Sequence, residues 1–174
     1  MGAEFVCTRH TSLCSKAYSE KRASYRNAQE NNMKVSARNI FTGTIGAITE
    51  GAVNAEVDLE TAGGDRLVAV VTKDSVAALG LQVGGPVMAL VKAPWVMVMV
   101  DCGEVQFSAR NRLSGVVESV QTGVVNADVG IRLPGGTVVY AVITKEAMME
   151  LGLKPGVSAT ALIKASHVVL ARPS

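Results

Sequence analysis

The chain has 174 residues, of which 48% are hydrophobic but only 4% aromatic and 18% charged; this balance, with 17 glycines, favours short strands and tight turns. No apolar run approaches the roughly 18 residues of a membrane-spanning helix, so no membrane association is expected. The net charge of +2 comes from residues 1–32, with five Lys/Arg against three Asp/Glu, while the body is balanced at twelve each; this disfavours a nucleic-acid partner and leaves any anion to be held by a few placed groups.

Residues 1–33 read as a disordered N-terminal extension, polar and without the apolar stretch of a secretory signal. Met33 offers an alternative start. Cys7, Cys14 and Cys102 make an odd count, too few for a secreted disulfide scaffold, so a reducing, cytoplasmic compartment is expected. Cys7, His10 and Cys14 have a loosely metal-like spacing, but three candidates in a polar tail are a weak basis for zinc, and no metal ligands are assigned.

From residue 34 the elements are readable in order. Ile40 to Ile48 predicts a strand, with Gly43 and Gly46 as bend or bulge points. Glu50-Gly51 turns the chain, and Ala52 to Leu59 alternates apolar and polar side chains as a half-buried strand does. Ala62-Gly63-Gly64-Asp65 is a hairpin signal leading into a short strand from Leu67 to Val71. Thr72 to Gly80 predicts a brief helix, with a Thr cap, an acid in the first turn and a terminal Gly. Val87 to Lys92 and Trp95 to Val100 complete the unit as two strands around Ala93-Pro94.

The same unit then recurs at a constant offset of 72 residues. Ser36-Ala37-Arg38-Asn39 returns as Ser108-Ala109-Arg110-Asn111. Gly51-Ala52-Val53-Asn54-Ala55-Glu56-Val57 returns as Gly123-Val124-Val125-Asn126-Ala127-Asp128-Val129. Thr72-Lys73, Leu79-Gly80-Leu81 and Lys92-Ala93 return as Thr144-Lys145, Leu151-Gly152-Leu153 and Lys164-Ala165. A single gapless offset marks a tandem duplication. The expected fold is all-β: two tandem OB-like five-stranded barrels, each with one short helix, over 34–101 and 108–172.

Duplication also filters side chains, because a group kept in both copies has a use in both. The bases kept are Arg38/Arg110, Lys73/Lys145 and Lys92/Lys164; hydroxyls and amides are kept at Ser36/Ser108, Asn39/Asn111, Asn54/Asn126 and Thr72/Thr144. Acids persist only at Glu56/Asp128 and Asp74/Glu146. The inventory is rich in donors, which suit a deprotonated tetrahedral oxyanion that can only accept. Each residue also has a structural reading: Thr72 caps a helix whatever else it does, Lys92 and Lys164 can snorkel, and Asn54 and Asn126 suit turns. No nucleophile and base recur together, so no catalytic residues are assigned and no enzyme is expected.

Ser-Ala-Arg-Asn, Gly-Ala-Val-Asn-Ala-Glu-Val and Val-Lys-Ala-Pro-Trp-Val resemble the molbindin (Mop) domain. The two-copy arrangement is similar to di-domain molbindins and to the C-terminal half of the bacterial molybdate-responsive transcription regulator. The resemblance spans about residues 33–172. It implies molybdate or tungstate as the ligand, held at subunit interfaces of a homo-oligomer, most simply a trimer, in a protein that stores molybdenum. A molybdate-sensing or partner-docking module is the alternative. Carried over residue by residue, it implies an oxyanion site in the first unit at Ser36, Arg38, Thr72, Ser75, Lys92 and the Ala93 backbone. In the second unit it implies Ser108, Arg110, Thr144, Lys164, Ala165 and Ser166, with Ala147 replacing the serine equivalent to Ser75. Asn54 and Asn126 match a motif of a second class of site.

Overall fold

The computed structural model describes residues 34–101, 103 and 105–172. The expectations placed on residues 1–33, including the spacing of Cys7, His10 and Cys14, lie outside the described residues. Each repeat gives five strands, one short helix and one 3-10 turn. The first has β1 (Asn39–Glu50), β2 (Asn54–Thr61), β3 (Arg66–Thr72), α1 (Lys73–Leu79), β4 (Pro86–Val91), a 3-10 turn (Ala93–Trp95) and β5 (Met97–Met99). The second has β6 (Asn111–Thr122), β7 (Asn126–Arg132), β8 (Val138–Thr144), α2 (Lys145–Glu150), β9 (Ser158–Ile163), a 3-10 turn (Ala165–His167) and β10 (Val169–Ala171).

Alternation of side chains sets the faces. In β2, Ala55, Val57 and Leu59 are buried while Asn54, Glu56 and Asp58 point outward. The register of β1 against β2 shifts between Ile45 and Ala47, so Gly46 sits at a bulge; the second copy shifts between Val117 and Ser119, around Glu118. Glycine is therefore not what makes the bulge. It is what allows the close approach at Gly43 and Gly115, where a Cβ would fall on the carbonyl oxygens of Glu60 and Arg132.

Two five-stranded antiparallel sheets curl into two barrel-like domains, but the repeats do not close on themselves. One sheet runs β10-β4-β1-β2-β3 and the other β5-β9-β6-β7-β8. The fifth strand of each repeat is thus exchanged: Val169 pairs with Leu90, and Met97 with Leu162. The expectation of two barrels each built from its own stretch is corrected at this strand. The residues after Lys92 and Lys164 form a tight 3-10 turn that carries the chain across to the other sheet. Trp95, expected inside a strand, closes the first such turn. Pro94 suits that turn, but Ser166 makes the same turn in the second copy, so proline is not its cause.

Exchange gives one continuous core. Phe41, Ile45, Leu59, Leu67, Val87 and Val96 of the first repeat cluster with Val117, Ile131, Val139, Ile163, Val168 and Leu170 of the second. A unit of about 65 residues buries too little apolar surface to be secure alone; sharing the fifth strands solves this. Reciprocal contacts relate the halves by an approximate twofold. The Gly63 and Gly135 hairpins meet backbone to backbone, and Thr137 Oγ1 donates to Asp65 Oδ2 at 2.7 Å across the join.

Asn39 and Asn111 lock the exchange. Asn39 Nδ2 donates to the Tyr140 carbonyl at 2.8 Å and its Oδ1 accepts from the Tyr140 N–H at 2.7 Å. Asn111 does the same to Val68 at 2.9 and 2.6 Å, and also donates to the Ile163 carbonyl at 3.2 Å. Each amide thus acts as one more peptide group on β8 or β3 of the other sheet. They are the only buried polar side chains among the described residues, and both are satisfied.

Candidate functional site

Thr72 ends β3 and caps α1, its Oγ1 accepting from the Ser75 N–H at 3.1 Å with the Ser75 hydroxyl 2.8 Å away. Asn54 pairs directly with Thr72 across the β2–β3 ladder, and Asn126 pairs with Thr144 across β7–β8. The two classes of residue that the sequence suggested separately are therefore cross-strand neighbours. Two positions along from each asparagine, on the same outward face, stand Glu56 and Asp128.

The arginines reach these faces from the opposite repeat. Arg110 Nη2 pairs with Glu56 Oε1 at 2.5 Å, and Arg38 Nη1 with Asp128 Oδ2 at 3.0 Å. Arg38 also lies over the Tyr140 ring, 5.4 Å from its centroid. Lys92 and Lys164 are exposed at the starts of the two 3-10 turns, whose first residues, Ala93 and Ala165, are buried. The Ala165–His167 turn packs on β3, and the Ala93–Trp95 turn on β8. At these turns Trp95 and His167 meet with ring centroids 5.5 Å apart.

The donors therefore sort differently from their order in the chain. Around β2–β3 and the start of α1 gather Asn54, Thr72 and Ser75 from the first repeat, with Arg110 and the Lys164-Ala165-Ser166 turn from the second. Around β7–β8 and the start of α2 gather Asn126 and Thr144 from the second repeat, with Arg38 and the Lys92-Ala93 turn from the first. Within one chain these groups lie together across the repeats, whereas the sequence invites sorting them repeat by repeat. Ser36 and Ser108, two residues before each arginine, are exposed, as is Ser166. Ala147 stands in α2 where α1 has Ser75, so Thr144 accepts from the Ala147 N–H at 3.1 Å with no second hydroxyl.

Glu56 and Asp128 were legible as retained acids but not as partners of the arginines, because the pairing crosses the repeats. Lys73, a base retained in both copies but absent from the implied oxyanion sites, pairs with Glu50 at 3.0 Å. A shallow depression lined by Gln121, Thr122, Gly123, Asn126, Asp128 and Val142 brings one candidate asparagine and one acid to the same hollow. Arg38, Thr72, Lys92, Arg110, Thr144 and Lys164 are exposed, and Ser75 is half-buried.

Two barrel-like domains that exchange their fifth strands and keep most of the retained donors in both copies define a tandem-repeat all-β module. A model of the TOBE domain matches residues 35–98 and again 108–170, and the chain belongs to the TOBE-domain family. It is 45% identical over 141 residues to the molybdenum-pterin-binding protein MopA of Rhodobacter capsulatus, a match covering 81% of this chain and 53% of MopA. It is 35% identical over 140 residues to the DNA-binding transcriptional dual regulator ModE of Escherichia coli (strain K12), covering 80% and 52%. The chain thus spans about half the length of the curated relatives it matches. A crystal structure of the cytoplasmic molybdate-binding protein ModG with molybdate bound is similar over 81% of this chain and 100% of that one, with 56% identity and a TM-score of 0.79.

Proposed function

We propose that this protein binds molybdate, and tungstate with it, for molybdenum storage in the cytoplasm, without catalysing a reaction. The observation that carries the reading is the similarity to ModG along that chain's whole length, at 56% identity and in the same fold. Donor chemistry agrees: the retained groups are guanidinium, ammonium, hydroxyl and amide, which suit an oxyanion that carries no proton. The binding set is Ser36, Arg38, Thr144, Lys92 and Ala93 on one face. On the other it is Ser108, Arg110, Thr72, Ser75, Lys164, Ala165 and Ser166, with Asn54 and Asn126 serving a second class of site.

The donors' open setting supports a homo-oligomer, a trimer by preference, in which a neighbouring subunit covers each anion. Exposed apolar side chains at Val53, Val116, Val124, Val125 and Met97 offer material for such contacts. Isothermal titration with sodium molybdate is the direct test. Binding should be shared by tungstate and be weaker for phosphate, which keeps a proton that a set made mostly of donors does not match. Phosphate binding as tightly as molybdate would reject the site. Sedimentation should give a multiple of the 18.1 kDa chain, and a stable monomer with molybdate bound would reject the interfacial arrangement.

A further inference from the structure

Both arginines of the proposed anion sites are already engaged. Arg38 is held by Asp128 and Arg110 by Glu56, and each carboxylate comes from the repeat that did not supply the arginine. The side chains are substantially exposed, Arg38 by 43% and Arg110 by 59%. An ion pair in that setting adds little to stability. Yet the acid is kept in both copies at the same offset, and the same guanidinium meets it in both. Stability of the barrel does not account for this: the halves are joined by a shared core, exchanged strands and the Asn39 and Asn111 clamps.

A carboxylate on the guanidinium fork has one chemical consequence. It occupies donor positions that an oxyanion would use, and its own charge repels an anion brought to the same fork. We propose that Glu56 and Asp128 are built-in competitors for the anion, clasping the arginines while the sites are empty and yielding them when a dianion arrives. Because the clasp must be displaced, the acids lower the affinity of each site for any anion that uses the fork. This rests on the molybdate reading of Arg38 and Arg110. The two clasps are not equal: the Tyr140 ring lies against Arg38, whereas the residue equivalent to Tyr140 in the first repeat is Val68, which has no ring to offer Arg110. The aromatic face gives Arg38 a second fixed contact.

Titration of sodium molybdate into the intact chain and into Asp128→Asn, Glu56→Gln and the double variant tests the clasp. Arg38→Ala and Arg110→Ala run alongside, with thermal melting as the control for folding. Removing a competitor should tighten binding at the matching site about two- to fivefold, the factor by which an exposed ion pair holds its partners. The two amide variants report on separate clasps, so poor folding of one leaves the other decisive. If the arginine variants lose binding while the amide variants bind molybdate as the unchanged chain does, or more weakly, the clasp is overturned and the anion site stands. If the arginine variants bind as the unchanged chain does, the site assignment fails and the clasp falls with it.

Discussion

The two copies of the barrel unit are most alike in the core and least alike at the edges of the proposed anion faces. Ala55, Val57 and Ala69 of the first repeat meet Ala127, Val129 and Ala141 at the same burial in the second. Around the donors, Ser75 stands against Ala147, Val68 against Tyr140, Pro94 against Ser166 and Trp95 against His167. Even the shared asparagine clamp differs, since Asn111 makes one bond more than Asn39. Because the fifth strands are exchanged, each face is built from both copies. A difference confined to one repeat therefore makes the two faces unlike without making either barrel less complete.

The largest expected effect tests the clamps. Asn39→Ala should cost about 3 kcal/mol and Asn111→Ala about 4 kcal/mol, since each strands backbone groups of the other sheet and Asn111 also serves Ile163. Urea unfolding of the two variants gives both values. Equal costs would mean the Ile163 contact contributes nothing, and costs below about 1 kcal/mol would mean that the clamps do not hold the exchange.

Next comes the regrouping of the donors. Arg38→Ala and Arg110→Ala should each weaken molybdate binding at one class of site by about ten- to a hundredfold, the worth of a charge-assisted hydrogen bond. Pairing each with Thr72→Ala distinguishes the two ways of sorting. With faces composed across the repeats, Thr72→Ala should couple to Arg110→Ala and be additive with Arg38→Ala, within about 0.5 kcal/mol. The opposite pattern would restore the grouping by repeat.

That regrouping marks how far the sequence carries. The offset of 72 residues exposed the duplication and the order of strands along each copy, because each is a local property that survives copying. The helix was legible down to its Thr72 cap and Gly80 end, which the structure keeps with Gly80 at φ 57°. Which repeat supplies which side chain was not legible. A fifth strand returning to its own sheet and one crossing to its neighbour have the same period and burial, as Met97–Met99 and Val169–Ala171 show. The role of Asn39 and Asn111 was hidden for the same reason: an amide kept in both copies looks like a ligand group until its partner strand is known. Glu56 and Asp128 passed the same filter as the bases, yet only the exchanged topology puts an arginine beside each.

A smaller effect belongs to the one hydroxyl that the second copy lacks. Ser75→Ala should weaken molybdate binding at the face of α1 by about 1.5 kcal/mol, roughly tenfold. Ala147→Ser should strengthen the other face by a similar factor if the added hydroxyl reaches the anion. Two resolved binding classes should then converge in the Ala147→Ser variant. Classes that stay apart would place their difference elsewhere, with Tyr140 beside Arg38 the next candidate.

The smallest effect lies in the caps themselves. Thr72 and Thr144 both accept from a backbone N–H three residues on, at 3.1 Å in each copy, but only Thr72 also has a hydroxyl partner, Ser75. The helices they cap have seven and six residues and bury no side chain fully, so a local opening is what a lost cap promotes. Thr72→Ala and Thr144→Ala should each cost about 1 kcal/mol, with the first larger by a few tenths because the Ser75 hydroxyl loses its partner too. Amide hydrogen exchange at Ser75 and Ala147 resolves so small a difference where global unfolding does not. Thr72→Ser should recover most of the loss, because it keeps the accepting oxygen and removes only a methyl group. If Thr72→Ser exchanges as fast as Thr72→Ala, the cap works through the threonine methyl and not its accepting oxygen.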